Sequence, residues 1–153
     1  MKRIALLCLI CLALSGCDDD SGGKVTNEFL VGKWDCKLKK FFAKNENGKF
    51  SDYAKDGEII FVKEYKLDQG KLYSKKDNSK DWVYIDLDNR YTGKTDVIRD
   101  DGFRSLKVTT LMTKKSDNQY FIKEEFFLME RDTDNKNRYV YKTNAEGLCT
   151  RIK

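Results

Sequence analysis

From Leu30 onward the chain alternates. Leu30, Gly32, Trp34, Cys36, Leu38 and Phe42 hold even positions, interrupted by Lys40, while Lys33, Asp35, Lys37 and Lys39 hold odd ones. A period of two puts one set on a buried face and the other in water, which predicts a half-buried strand. Further β-rich runs follow over 49–53, 58–66, 71–75, 82–87, 94–99, 104–113, 119–131, 138–143 and 148–152. They are punctuated by Asn47-Gly48, Asp56-Gly57, Gln69-Gly70, Thr92-Gly93, Asp101-Gly102 and Glu146-Gly147. Asn-Gly suits a type I′ hairpin, and the other glycines suit turns that need positive φ. About 8 to 10 consecutive strands with short connections predict an all-β fold, an antiparallel up-and-down barrel whose closure removes exposed strand edges. No amphipathic helix of three turns and no internal repeat breaks the series.

The first residues follow another rule. Met1-Lys2-Arg3 is basic, Ile4 to Leu14 is apolar throughout, and Ser15-Gly16 is small. This is the layout of an export signal. The apolar run would rise only about 16 Å as a helix, against roughly 30 Å of hydrocarbon in a bilayer, so it is too short for a permanent span.

Leu14-Ser15-Gly16-Cys17 resembles the lipobox of bacterial lipoproteins. The resemblance implies a signal peptide over 1–16, cleavage before Cys17, and a diacylglycerol on its sulfur, with a further acyl chain on nitrogen in many such bacteria. Two or three chains, at about 0.8 kcal/mol per buried methylene, make a stable anchor. It also implies that Asp18, directly after the lipidated cysteine, favours retention at the inner membrane, with the outer membrane as the alternative. Residues 17–24 are polar and glycine-bearing, as suits a tether. Residues 25–153 then form the folded domain in the bacterial envelope, facing the periplasm.

Composition narrows the chemistry. There is no histidine, which removes imidazole metal ligands and the Ser-His and Cys-His nucleophile pairs. Proline is absent too, so no strand is interrupted by a missing amide donor. The formal charge of +5 falls by two once Lys2 and Arg3 are assigned to the leader. The remaining lysines alternate with acids instead of forming a stripe, so nucleic acid is not an expected partner.

Of the five cysteines, Cys8 and Cys11 lie in the leader and Cys17 at its seam, leaving Cys36 on the first strand and Cys149 on the last. Exported domains keep disulfides, so these two are expected to bond. The chain-entropy model values closure of such a loop, over 100 residues long, at about 4 to 5 kcal/mol. If the two cysteines face each other on antiparallel strands, Trp34 falls opposite Arg151. A guanidinium over an indole contributes about 0.5 to 2 kcal/mol.

Gly32-Lys33-Trp34 is similar to the Gly-x-Trp signature of lipocalins and related calycin barrels. In that family a basic residue of the last strand packs across the tryptophan, a role that Arg151 matches by position. The resemblance implies that Trp34 and Arg151 close one end of a lipocalin-like barrel. The second and third lipocalin motifs and a C-terminal helix are missing from the sequence.

Candidate chemistry is sparse. Asp132 to Asn137 has acidic spacing akin to a calcium loop, but Lys136, Asn137 and Thr143 stand where ligands and glycine are needed, so a polar turn is expected and no metal. Glu124-Glu125 and Asp100-Asp101 are adjacent, and neighbours on a strand point to opposite faces. Catalysis and cofactors are therefore not expected, the lipid on Cys17 apart. In the run QYFIKEEFFLMER, Phe121, Phe127 and Met129 fall on the face opposite Tyr120, Ile122, Phe126 and Leu128. They form a candidate partner patch.

The resulting expectation is a lipid-anchored, non-enzymatic binding module. Its partner is expected to be an envelope protein, with the domain acting as an inhibitor, immunity or assembly factor. The alternative is a carrier or sensor that holds a small apolar or amphipathic ligand in the barrel. An open interior of at least about 300 Å³ would favour the second.

Overall fold

The structure is a computed structural model that describes residues 23–46, 49–100, 104–131 and 137–153. The leader, Cys17, Asp18 and the 132–136 turn lie outside the described residues, as do Asn47-Gly48 and Asp101-Gly102. Nine strands form one antiparallel sheet: β1 (Gly32–Glu46), β2 (Lys49–Phe50), β3 (Ala54–Asp68), β4 (Lys71–Lys76), β5 (Val83–Ile85), β6 (Thr92–Asp100), β7 (Arg104–Ser116), β8 (Gln119–Arg131) and β9 (Asn137–Arg151). Two one-turn helices, α1 (Asn27–Leu30) and α2 (Leu87–Arg90), complete it. Thr26 and Asp86 cap them by accepting from the amides of Phe29 and Asn89.

The spatial order is β5-β4-β3-β1-β9-β8-β7-β6, with β2 paired to β1. The first strand therefore lies beside the last, and the sheet curls into a half-barrel of lipocalin-like form. Its two ends are β5 and β6, the strands that α2 links in sequence. Among the described residues, the core cluster runs from Val25 to Cys149.

Three turn readings need correction. Glu146-Gly147 is not a turn: β9 continues through it, joining the two strands expected at 138–143 and 148–152. Gly147 is instead a point of close approach, where a Cβ would lie 2.0 Å from the Lys37 carbonyl oxygen of β1. Asp56-Gly57 also lies within a strand, beside the register shift between Lys40 and Phe41, where β3 makes room for an extra residue. Thr92-Gly93 likewise opens β6, with Gly93 at positive φ in the register irregularity between Thr92 and Thr95. Among the strand readings, β2 spans only two of the residues in the expected 49–53 run. Gln69-Gly70 does turn, with both residues at positive φ.

Candidate functional site

Interior positions follow from the register. Along β1 the inward set is Trp34, Cys36, Leu38, Lys40 and Phe42; opposite them on β9 are Arg151, Cys149, Gly147, Ala145 and Thr143. Their β3 partners are Lys63 beside Trp34, Phe61 beside Cys36 and Ile59 beside Leu38. On β8 the inward set is Tyr120, Ile122, Glu124, Phe126 and Leu128, opposite Lys114, Met112, Thr110, Val108 and Leu106 of β7.

One end of this interior is filled. Trp34 is fully buried and donates from its indole nitrogen to the Leu30 carbonyl at 2.6 Å, which fixes α1 across the floor. The Arg151 guanidinium carbon lies 4.3 Å from the Trp34 ring centre. Its two terminal nitrogens donate to the carbonyls of Val31 and Phe29, at 2.6 Å for the first. Gly32, at φ +119°, leaves the space: a Cβ there would come within 3.0 Å of Arg151 Nη1. Each residue of Gly32-Lys33-Trp34 that matches the calycin signature thus has a packing role at the floor.

Above the floor, Cys36 and Cys149 are bonded at 2.01 Å between directly paired positions. Tyr120 Oη lies 3.7 Å from Cys36 Sγ and 3.0 Å from Tyr65 Oη. A disulfide sulfur carries no proton, so the Tyr120 hydroxyl faces it as donor and accepts from Tyr65. Burial pushes the Tyr65 hydroxyl well above its ordinary pKa, with Tyr120 adding to it; burial raises Tyr120 and Tyr91 likewise, reinforced by the charge of Glu124.

Two lysines, in register with Trp34, also face the interior. Lys63 is half-buried, its ammonium 5.2 Å from the Tyr65 ring centre. Burial lowers its pKa, Glu124 opposes that shift, and Lys76 adds to it. Lys76, directly paired with Lys63 across β3 and β4, has its ammonium 5.4 Å from the Phe61 ring centre.

Toward its other end the interior opens. A depression of about 510 Å³ is walled by Phe42, Leu106, Phe126, Tyr141 and Thr143, with Lys40 and Asp56 paired at 2.7 Å on its rim. Phe42 and Tyr141 meet with ring centres 5.9 Å apart. Phe126 and Glu124 share a face two residues apart, about 7 Å along the strand, whereas Lys63 is in register with Trp34, eight residues along β1 from Phe42.

The outer candidates separate. Met129 is 4% exposed and does not belong to an exposed patch. Phe121 lines an outer depression of about 630 Å³ with Lys37, Lys39, Glu146 and Leu148, whereas Phe127 lines another with Phe50, Thr95 and Lys107. The three residues read as one patch are therefore not gathered into one. Glu124 and Glu125 do face opposite ways: Glu124 is inside, and Glu125 pairs outside with Lys123 at 3.0 Å. Among the described residues, no group of three or more Cys, Asp or Glu side chains is arranged to hold a metal ion.

No family model, no curated protein and no solved structure matches this chain. Its function must be argued from the interior itself. Lys63 and Lys76 are the inward residues that strand reading passes over. The signal was present, because the alternation Phe61, Lys63, Tyr65 puts a lysine on the core face between two aromatics.

Proposed function

We propose that the chain is exported, lipid-anchored through Cys17 in the bacterial envelope, and acts as a non-enzymatic binding module whose open half-barrel holds one small amphipathic molecule. The observation that carries this reading is the depression of about 510 Å³ on the inner face, walled by Phe42, Leu106, Phe126 and Tyr141. Ligand sites typically measure about 300 to 1,000 Å³, combine apolar walls with a few convergent polar groups, and favour the mouths of β-barrels. The interior has each of these features. Its filled floor leaves the opposite end and the open side between β5 and β6 as ways in.

The anchor and the mouth fit together. The backbone amide of Lys114 donates to the Gly23 carbonyl at 2.8 Å, so the chain enters the domain at the floor end of β7, away from the Leu106 end. From Gly23 to Cys17 is six residues, a reach of at most about 20 Å. The mouth would then open away from the anchoring membrane, toward aqueous periplasm.

Titration of residues 17–153 carrying Cys17→Ser with the neutral dye N-phenyl-1-naphthylamine tests the lumen. One saturable site is expected, weakened at least tenfold by Phe126→Arg, which puts a charge on the wall. Failure to bind the dye, or equal binding by the variant, would remove the reading. A second reading, an envelope protein docked outside, is favoured by the depression beside Phe121 and Leu148, where Leu148 is 43% exposed. Affinity capture from envelope extracts by wild type but not by Leu148→Glu would support it.

A further inference from the structure

Strands β3, β4 and β5 form one flank of the half-barrel, and Tyr65, Leu72, Ser74 and Ile85 are buried on its inner side. The alternate residues face outward, among them Lys66, Tyr73, Lys75 and Tyr84. Lys66 is paired with Tyr73, and Tyr73 with Tyr84, the two tyrosine ring centres 5.9 Å apart. Trp82, directly before β5, lies against the same lysines: its ring centre is 4.7 Å from the Lys66 ammonium and 4.9 Å from that of Lys75. At the edge of the sheet, β5 leaves Val83 61% and Tyr84 51% exposed.

Three aromatic rings interleaved with lysines are a composition that suits a lipid head-group layer. Trp and Tyr place an apolar body and a polar tip across such a layer, and a lysine stem covers apolar surface while its ammonium stays hydrated. Glu64 lies 3.2 Å from Lys75 and Asp68 3.9 Å from Lys66, but all four side chains are partly exposed, and ion pairs of that kind are weak. Lys71, paired outward with Asp68, adds a third cation. A sugar ring needs a free aromatic face to stack on, whereas the Trp82 ring already carries two ammoniums.

The start of the domain lies beside this flank. The Gly23 backbone bridges Lys114 at the floor end of β7, and the next residue, Lys24, has its ammonium 3.1 Å from Asp88 of α2. Helix α2 follows β5 after the single residue Asp86. Lys75 is in register, through Glu64, with Lys33 beside Trp34 of the floor. A chain that carries lipid on Cys17, six residues before Gly23, therefore enters next to the strand edge that bears Tyr84.

We infer that the outer face made by Lys66, Tyr73, Lys75, Trp82 and Tyr84 is a second membrane contact, which rests on the anionic phospholipid head groups of the membrane that holds the Cys17 lipid. This rests on the anchored reading above and adds the face that meets the membrane. The contact need not be strong, because the anchor supplies a high local concentration of head groups. It fixes the floor toward the membrane and the mouth away from it.

The test uses the protein as its cells process it, extracted with detergent and reconstituted into vesicles of phosphatidylethanolamine and phosphatidylglycerol that contain lipids brominated just below the head group. The chain has two tryptophans, and Trp34 is fully buried in the floor, so quenching by bromine reports Trp82. On protein that floats with the vesicles, Trp82 emission is expected to fall at least twofold, and Trp82→Phe protein should show no quenching. The Lys66→Gln, Lys75→Gln double variant and Tyr84→Asp should each lose at least half of the quenching, while floating as before and keeping the β-sheet circular dichroism. Vesicles of phosphatidylcholine alone should weaken it similarly. Unquenched Trp82 on floating protein, or quenching that survives the variants, would overturn the contact, assign the face to a protein or glycan partner, and leave the anchor standing. Protein that fails to float would overturn both.

Discussion

Arg151 lies over Trp34 with its guanidinium carbon 4.3 Å from the ring centre, and from there it donates to the carbonyls of Phe29 and Val31. One side chain therefore ties the last strand to the first and to the helix beneath both. Replacing Arg151 with alanine should leave two carbonyls unpaired and an indole uncovered, a loss of about 2 to 3 kcal/mol. Arg151→Lys keeps the charge but not the flat, forked donor, and should recover only part of it. Urea unfolding followed by tryptophan fluorescence measures both; unchanged midpoints would show that the floor is closed by something else.

The Cys36–Cys149 bond joins residues 113 apart in sequence but directly paired in the sheet. Its removal should cost about 2 to 5 kcal/mol. Comparing urea midpoints of the oxidised protein and the Cys36→Ala, Cys149→Ala variant checks this. Mass analysis of the oxidised sample should show no free thiol at either position.

Gly147 provides a sharper steric test. Alanine there would drive a Cβ into the Lys37 carbonyl, so β1 and β9 must separate locally, at a cost of more than about 2 kcal/mol. Gly70→Ala, at φ +76° with open space around it, should cost only about 1 kcal/mol from its backbone conformation. Equal loss at both sites would mean that the strand contact at Gly147 is loose.

Alkaline pH should unfold the domain through its tyrosines. Tyr65, Tyr91 and Tyr120 are held above the ordinary tyrosine range, chiefly by burial, so their contribution is complete below pH 10 and fades as pH rises from there through their folded values. Lys63 works the other way. Its lowered pKa makes its burial unfavourable at neutral pH, and that penalty disappears as it loses its proton between its folded value and 10.5. Three tyrosines against one lysine leave a net loss. Tyrosinate absorbance should rise in two stages, the second coinciding with loss of the β-sheet circular dichroism; a single stage with the sheet intact would contradict this.

The floor was legible in the sequence because it is carried by local pattern and cysteine pairing. Period-two alternation from Leu30 located β1, and setting Cys36 against Cys149 placed Trp34 opposite Arg151, as in the structure. The ends of strands were less legible. Glycine is read as a turn, yet Gly147 and Gly57 serve within strands, one for close approach and one at a bulge. The outer patch failed for another reason: parity assigns a face but not what covers it, and Met129 is buried on a face read as open. The inward lysines were missed because lysine on a strand is ordinarily taken as solvated, although the place of Lys63 between Phe61 and Tyr65 was visible.

The most direct measurement of the central claim is native mass spectrometry of the full-length protein, extracted gently from the cells that make it, beside the Phe126→Arg variant prepared in the same way. One small amphiphile should accompany the parent protein in a one-to-one ratio and be missing from the variant. A parent protein that carries nothing, or an adduct retained equally by the variant, would contradict a ligand held in the half-barrel.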